Sequence, residues 1–389
     1  YLLANERNGE KSIWILSEIA WIYGVLDKFD DELNYLAKVK KLGRKDEWIN
    51  AEYGKVYARI EKYEEALKYF KKAKKLGQDD AWINIQMAIC FKRLNKLKKS
   101  LEHYLLAEKF KDYKKDIWLL SEIAWTYDGL GKYKDGLKYL KKIDKLGRKD
   151  CWFYTEYGFC LMRLEKYKEA ITKFKKGLQV KEELNEEIYL NSQIGFCYRL
   201  LGSEKTALKY HLKAKELGRN DAWISLEFGL CYRDQNEYEK ALKYFLEAYE
   251  KEERYKTDTY LLSNIGKMYD LLGKYENGEE FLRKSYDLGE RDRWINMELG
   301  ECLTRLGKYE EAIEKLLEAR RLYMAEGKAP YSEDLELAYC YAALGDKKKA
   351  EKHMKLSIDS LGSRAENEEH LKEQFDEIKE MISVLSKPS

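Results

Sequence analysis

The 389-residue sequence predicts an all-α solenoid built from short helix–turn–helix units, and three observations lead to this prediction. Aromatic residues recur with a step of 34 residues or slightly more, a period typical of helical repeat arrays. Proline occurs only at Pro330 and Pro388, while the helix-compatible residues leucine, lysine and glutamate are abundant. Small residues and capping residues then recur at fixed distances from each aromatic residue.

One aromatic residue in each unit sets the period, and positions are counted here from that residue. The series is Trp14, Trp48, Trp82, Trp118, Trp152, Tyr189, Trp223, Tyr260 and Trp294. From Trp48 onwards, steps of 34 residues alternate with steps of 36 or 37, so Trp118, Tyr189 and Tyr260 lie 71 residues apart. A pair of units with a longer second linker is therefore the predicted repeating element.

Small residues at three positions of the unit predict where its two helices, A and B, pack together. Position 6 is small in every unit: Ala20, Gly54, Ala88, Ala124, Gly158, Gly195, Gly229, Gly266, Gly300 and Ala338. Positions 18 and 25 are usually small as well, as at Ala66 and Ala73, although Glu32 breaks the pattern in the first unit. Only small residues let two helices approach at the short end of the usual distance of about 8–10 Å.

Turn and cap residues mark the ends of the predicted helices. A turn such as Gly307-Lys308-Tyr309 separates helix A from helix B, and helix B ends in Leu-Gly, which fits a left-handed C-terminal cap. An Asp two residues before the aromatic residue is a natural N-cap for the next helix A. These residues are Asp46, Asp80, Asp116, Asp150, Asp221, Asp258 and Asp292.

The pattern resembles the tetratricopeptide repeat family over about residues 12–361, in ten units. The resemblance implies a right-handed α-solenoid of tetratricopeptide units. Two features depart from the family: the junctions read Leu-Gly-Arg-Lys-Asp in place of a proline, and the aromatic residue lies two places early. Both departures weaken the transfer of any one subfamily's ligand to this chain.

The two ends of the chain are predicted to differ from the repeats. Residues 1–11 match part of a helix B, since Tyr1–Ala4 repeats the letters of Tyr104–Ala107, and are predicted to be the tail of a preceding truncated repeat. Residues 362–389 are predicted to form a C-terminal capping helix and tail, with docking of another molecule as the alternative. Their apolar stripe is Leu371, Phe375, Ile378, Ile382 and Leu385.

Composition and motifs argue against an enzyme. Six of the seven cysteines share position 8, which predicts buried, reduced thiols and a cytoplasmic protein: Cys90, Cys160, Cys197, Cys231, Cys302 and Cys340. The four histidines are scattered, and the sequence contains no nucleotide, hydrolase or zinc motif. We therefore predict no catalytic residues, no cofactor, no metal and no small-molecule substrate. The net charge of +3 and the absence of a long apolar run favour neither nucleic acid nor membrane.

The resemblance implies that the A helices line a concave groove, with positions 3, 7, 10 and 11 facing a ligand. The predicted partner-binding residues are Trp21, Lys55, Arg59, Lys92, Arg93, Trp125, Phe159, Arg163, Phe196, Arg199, Arg233, Lys267 and Arg305. An aromatic strip bordered by a basic row would suit a peptide or protein with apolar and acidic side chains. Alternatively, the arginines only offset the dipoles of the A helices. The lysine of the family's carboxylate clamp cannot be placed.

Three functions remain open at this stage. The first is a protein-interaction scaffold that binds its partner in the groove. The second is a sensor or regulatory region of a larger protein with an upstream effector domain. The third is nucleic-acid binding through the basic row.

Position 4 carries an acidic column, which is predicted to pair with lysines or to be solvated: Glu18, Glu52, Glu122, Glu156, Glu227 and Glu298. The aromatic residues that set the period are called the aromatic ladder below. We predict that they pack against the leucine of Leu-Gly rather than form an exposed binding strip.

Overall fold

The computed structural model describes residues 13–362, 364 and 368–385, so the prediction for residues 1–11 lies outside the described part of the chain. The described residues form helices and turns without any β-strand. Twenty helices, α1 to α20, follow one another as ten A–B pairs, and α21 comes last. The all-α repeat architecture predicted from the sequence is confirmed.

The contacts within the chain divide it into two units after Glu186. The helices of the first unit are α1 Ile13–Val25, α2 Phe29–Lys41, α3 Glu47–Arg59, α4 Tyr63–Lys75, α5 Ala81–Arg93, α6 Leu97–Glu108, α7 Ile117–Gly129, α8 Tyr133–Lys145, α9 Cys151–Arg163 and α10 Tyr167–Val180. A 3₁₀ turn, Lys111–Tyr113, fills the longer linker before α7.

The boundary falls near the start of α11, whose remaining residues belong to the second unit. From there the helices are α11 Leu184–Leu200, α12 Glu204–Glu216, α13 Ala222–Arg233, α14 Tyr238–Lys251, α15 Thr259–Leu271, α16 Tyr275–Asp287, α17 Arg293–Arg305, α18 Tyr309–Ala325, α19 Tyr331–Ala343, α20 Lys347–Leu361 and α21 Glu369–Val384. A second 3₁₀ turn, Glu253–Thr257, fills the longer linker before α15.

The predicted helix caps are present. The Asp150 carboxylate accepts the backbone N–H of Phe153 at 2.8 Å, and the other six predicted aspartates cap their helices in the same way. Gly147 follows the end of α8 with a φ of 94°, a left-handed conformation that glycine adopts without steric cost. Local sequence therefore fixes the N-termini of seven A helices, and glycine after the last turn favours the C-termini of several B helices.

The small residue at position 6 is matched by a large side chain at position 22 of the same unit. A Cβ atom added at Gly54 would lie 2.5 Å from the Phe70 ring, and one added at Gly158 would overlap the Phe174 ring. Both rings are fully buried. The A and B helices of a unit thus approach closely because helix A contributes no side chain where helix B contributes a ring.

The first repeat, formed by α1 and α2, replaces this small-residue packing with a buried carboxyl group. Glu32 at position 18 is fully buried, and neither of its carboxylate oxygens has a hydrogen-bond partner within the described residues. Burial raises the pKa of Glu32 to about 7; the Glu52 carboxylate adds to this rise, and Lys55 and Arg59 oppose it.

The seven cysteines are all free and buried, which confirms that they act as small core residues. Burial raises the pKa of the Cys197 thiol to about 12, so this thiol is not activated as a nucleophile. At the far end of the second unit, α21 packs on α19 and α20. It buries Leu371, Phe375, Ile378 and Ile382, as predicted for a capping helix. Leu385, the last residue of the predicted stripe, follows the end of the helix and is 42% exposed. Of the helices described, none has both the length and the apolar composition needed to cross a membrane.

Candidate binding surface on the A helices

The aromatic ladder packs on neighbouring rings and cations and stays partly exposed. Trp82 meets the edge of Phe70 from the preceding helix B, with ring centroids 6.1 Å apart. The Arg44 guanidinium lies 4.0 Å above the Trp48 ring. Trp152 remains 46% exposed to solvent. The aromatic residues of the ladder therefore pack on rings and arginines instead of the predicted leucines, and Leu42, Leu76 and Leu288 of the Leu-Gly ends are themselves exposed.

The arginine of the Leu-Gly-Arg-Lys-Asp junction is a structural residue that sequence reasoning missed. Arg148 donates to the Asp150 carboxylate at 2.6 Å and to the Ser121 hydroxyl at 2.9 Å, and its guanidinium lies 4.9 Å from the Trp152 ring centre. Arg44 makes the equivalent contacts in the first repeats. The recurrence of Arg two residues before the capping Asp was the available signal.

Neighbouring A helices contact one another directly: α3 touches α5 in the first unit, and α17 touches both α15 and α19 in the second. Side chains at positions 4, 7, 10 and 11 of adjacent A helices are therefore close enough to interact. This face carries most of the predicted partner-binding residues.

Most of the predicted basic row is neutralised within the chain. Lys92 pairs with Glu122 at 2.7 Å, and Arg199 pairs with Glu227 at 2.8 Å. The remaining pairs join Lys55 to Glu52, Arg59 to Asp27, Arg233 to Asp234, Lys267 to Glu298 and Glu301, and Arg305 to Asp270. The acidic column supplies several of these partners, in line with the expectation that it pairs with lysines. Among the described residues, Arg93 and Arg163 are exposed and make no hydrogen bond or ion pair.

The aromatic members of the predicted surface differ in exposure. Trp21 and Trp125 expose 49% and 48% of their surfaces. Phe159 is half-buried against Phe174, with ring centroids 5.6 Å apart, and Phe196 is half-buried against Trp223 at 6.4 Å. The exposed apolar part of this face therefore centres on the two tryptophans of the first unit.

A cavity opens beside Trp125, between α7, α8 and α9. Its walls include Trp125, Trp152 and Phe153, and its polar lining includes the carboxyl groups of Asp128 and Glu156. Sequence reasoning did not single out Asp128. The available signal was an acid at position 10, where the units of Lys92 and Arg199 carry a cation.

The helix pairs, the small-residue packing and the caps define a helical repeat protein. The family model for the tetratricopeptide repeat matches residues 49–80, 225–251 and 260–289, which coincide with the pairs α3–α4, α13–α14 and α15–α16. The chain carries tetratricopeptide repeats. No curated protein sequence matches it. Within the described residues, no group of three or more His, Cys, Asp or Glu is arranged to hold a metal ion.

Several solved structures are similar to this chain. The C-terminal part of a tetratricopeptide repeat protein from Cytophaga hutchinsonii is 15% identical, with 61% of this chain and 93% of that one covered and a TM-score of 0.48. Cut9–Hcn1 of the APC/C is 14% identical, with 97% and 86% covered and a TM-score of 0.46. YrrB, a tetratricopeptide protein with an unusual peptide-binding site, is 24% identical, with 49% and 93% covered and a TM-score of 0.38.

Proposed function

We propose that this chain is a protein-interaction scaffold that binds a peptide or protein partner on the surface formed by its A helices. The presence of tetratricopeptide repeats supports a scaffold role in general. The observation that carries the more specific proposal is Trp125, whose indole is 48% exposed at the edge of a cavity. Tryptophan side chains in such positions are frequent hot spots of protein interfaces, because a large apolar area is buried at little entropic cost.

The ion pairs between A helices favour a preformed binding surface. The Lys92 ammonium lies 3.7 Å above the Trp125 ring and is held by Glu122 on the next A helix. This arrangement restrains both the indole and the helices on which it is built. A surface whose anchors are already ordered loses less entropy when a partner binds.

The same ion pairs bear on the other functions considered. An acidic partner or a nucleic-acid backbone would have to compete with Glu122, Glu227 and Asp270 for the predicted cations. Displacing a carboxylate from a partly buried pair leaves that carboxylate without its partner, which is unfavourable. Apolar contacts at Trp125 and Trp21 therefore carry the proposal better than the basic row does.

The test compares wild-type chain with a Trp125→Ala variant in affinity capture from cell lysate, followed by calorimetry with the captured protein. Leu317→Ala is the matched control, because Leu317 is also an exposed apolar residue but lies on the B helix α18. We expect Trp125→Ala to weaken binding at least about tenfold, with unchanged helicity by circular dichroism. Equal binding by wild type and Trp125→Ala would contradict the proposal that Trp125 anchors the partner on this surface.

A further inference from the structure

Charge pairing between neighbouring A helices follows a simple rule in this chain. A cation at position 10 of one A helix meets the residue at position 4 of the next. Lys92 pairs with Glu122, Arg199 pairs with Glu227, and Arg233 donates a 2.6 Å hydrogen bond to Asn264. The first two junctions are thereby electrostatically balanced across the helices, and the charge of Arg233 is balanced by the adjacent Asp234.

Two junctions depart from the rule by placing an acid at position 10. In the second unit, Asp270 and Glu298 occupy positions 10 and 4 of α15 and α17, and the chain supplies compensating cations. The Lys267 ammonium from position 7 pairs with Glu298, and the Arg305 guanidinium from position 11 lies 2.8 Å from Asp270. At this junction, the two carboxylates at positions 10 and 4 are therefore neutralised by one ammonium group and one guanidinium group of the same chain.

The junction of α7 and α9 has the same two acids but lacks the lysine. Asp128 and Glu156 occupy positions 10 and 4, Arg163 stands at position 11, and position 7 is Trp125. Among the described residues, neither carboxylate makes a hydrogen bond or an ion pair. Arg163 corresponds to Arg305 and acts on Asp128 through its charge, whereas no residue corresponds to Lys267.

Electrostatics at this junction favour the arrival of a cation. Burial raises the pKa of Glu156, and the nearby Asp128 carboxylate raises it further. Burial also raises the pKa of Asp128, against the opposing charge of Arg163. Lys92 and Arg148, the other cations near the cavity, are already paired with Glu122 and Asp150. An additional positive charge would relieve the repulsion between the two carboxylates.

The size of the cavity and its aromatic walls limit which ligand groups can enter it. The cavity has a volume of about 20 Å³, which is room for one small polar group such as an ammonium. Trp125 and Trp152 flank it, and each ring already accepts a cation of this chain, Lys92 at 3.7 Å and Arg148 at 4.9 Å. Indole rings attract ammonium groups through their electron-rich faces.

We propose that the cavity between α7 and α9 binds the ammonium group of a lysine side chain from a partner peptide, in the place that Lys267 fills in the second unit. This inference rests on the proposed function and specifies its partner: a segment with a lysine among apolar residues rather than an acidic one. Glu156 and Asp128 receive the ammonium, and Trp125 and Trp152 cover the aliphatic part of the side chain.

The test selects short random peptides displayed on phage against the immobilised full chain, and then measures their affinities by fluorescence anisotropy. We expect selected peptides to carry lysine and to lose at least about tenfold in affinity when that lysine is acetylated. The double variant Asp128→Asn/Glu156→Gln should show the same loss. Asp128→Lys should also block binding, because it recreates the pairing of Lys92 with Glu122 inside the cavity.

The matched control is Glu52→Gln, which alters position 4 of α3, where Glu52 is already paired with Lys55. Its affinity for the selected peptides should equal that of the wild type. Peptides that need Trp125 but bind equally well after acetylation, or to Asp128→Asn/Glu156→Gln, would overturn the lysine inference and leave the scaffold proposal standing. Failure to enrich any peptide whose binding needs Trp125 would overturn both proposals.

Discussion

Arg199 and Glu227 join two neighbouring A helices through a nearly buried ion pair. The guanidinium Nε lies 2.8 Å from the carboxylate, and the two side chains expose 11% and 3% of their surfaces. Replacing Arg199 by Met leaves the carboxylate buried without its partner, so we expect Arg199→Met to lower the free energy of unfolding by about 3–5 kcal/mol. Urea denaturation followed by circular dichroism measures this change.

The double variant Arg199→Met/Glu227→Leu should recover most of that loss, because an apolar pair of similar volume avoids the desolvation of both charges. Lys68→Ala is the matched control, since Lys68 and Glu65 form an exposed ion pair. No measurable change is expected there. If Arg199→Met proves as stable as wild type, the pair does not hold the two helices together.

Close packing at position 6 predicts that adding one methyl group is destabilising. The added Cβ of Gly158→Ala would overlap the buried Phe174 ring, so we expect a loss of about 1–3 kcal/mol despite the better helix propensity of alanine. Another repeat of this chain has Ala124 and Leu140 at the equivalent positions, so replacing Phe174 by Leu should make room for an alanine at position 158. Gly158→Ala/Phe174→Leu should regain stability relative to Gly158→Ala in the same denaturation experiment; a further loss would contradict the size match.

The buried carboxyl of Glu32 predicts a specific pH dependence. Its pKa rises from 4.5 to about 7 on folding, so the folded state holds a proton that the unfolded state releases between these values. The stability contributed by this group therefore falls as pH increases across that range, by about 3 kcal/mol in total. Glu32→Gln stays neutral and should remove this slope.

The measurement compares the free energy of unfolding of wild type and Glu32→Gln at pH 5 and at pH 8. The difference between the two proteins should favour Glu32→Gln more strongly at pH 8 than at pH 5. Glu314→Gln, at an exposed site of α18, serves as the control for a change of net charge. Parallel pH profiles for wild type and Glu32→Gln would show that Glu32 is ionised throughout.

Asp150 has two roles that substitution can separate. Its carboxylate caps α9 through the Phe153 N–H and also pairs with Arg148. Asp150→Asn keeps the cap and loses the charge, whereas Asp150→Ala loses both. We expect Asp150→Ala to cost about 1 kcal/mol more than Asp150→Asn in thermal or urea denaturation. Equal losses would assign the stabilisation to the ion pair alone.

Features that depend on residues close in sequence were predictable. The cap between Asp150 and Phe153 spans three residues, and the match of Gly158 with Phe174 lies within one helix hairpin. Both repeat in other units, so periodicity identifies them without any tertiary information. The same reasoning placed the cysteines in the core, because an apolar slot shared by six units is a buried slot.

Features that depend on the neighbouring repeat were less predictable. Whether Lys92 is free to bind a ligand depends on Glu122, which lies 30 residues away on another helix. Periodicity assigned both residues to one face but not to each other, so the basic row looked available when most of it is paired. The cavity at Trp125 was not predictable for the same reason, because Asp128 becomes a candidate binding residue only when the structure places it beside Glu156.

The two kinds of match in this protein have different consequences for its evolution. The size match between Gly158 and Phe174 is contained within one repeat, so duplication of a whole repeat copies both of its partners. The charge match between Lys92 and Glu122 spans two units, so recombination that gives a unit a new neighbour also gives it a new electrostatic partner. Gene duplication in this array thus preserves the packing of helix A on helix B, while each new junction, such as that of Asp128 with Glu156, creates surface chemistry on which selection can act.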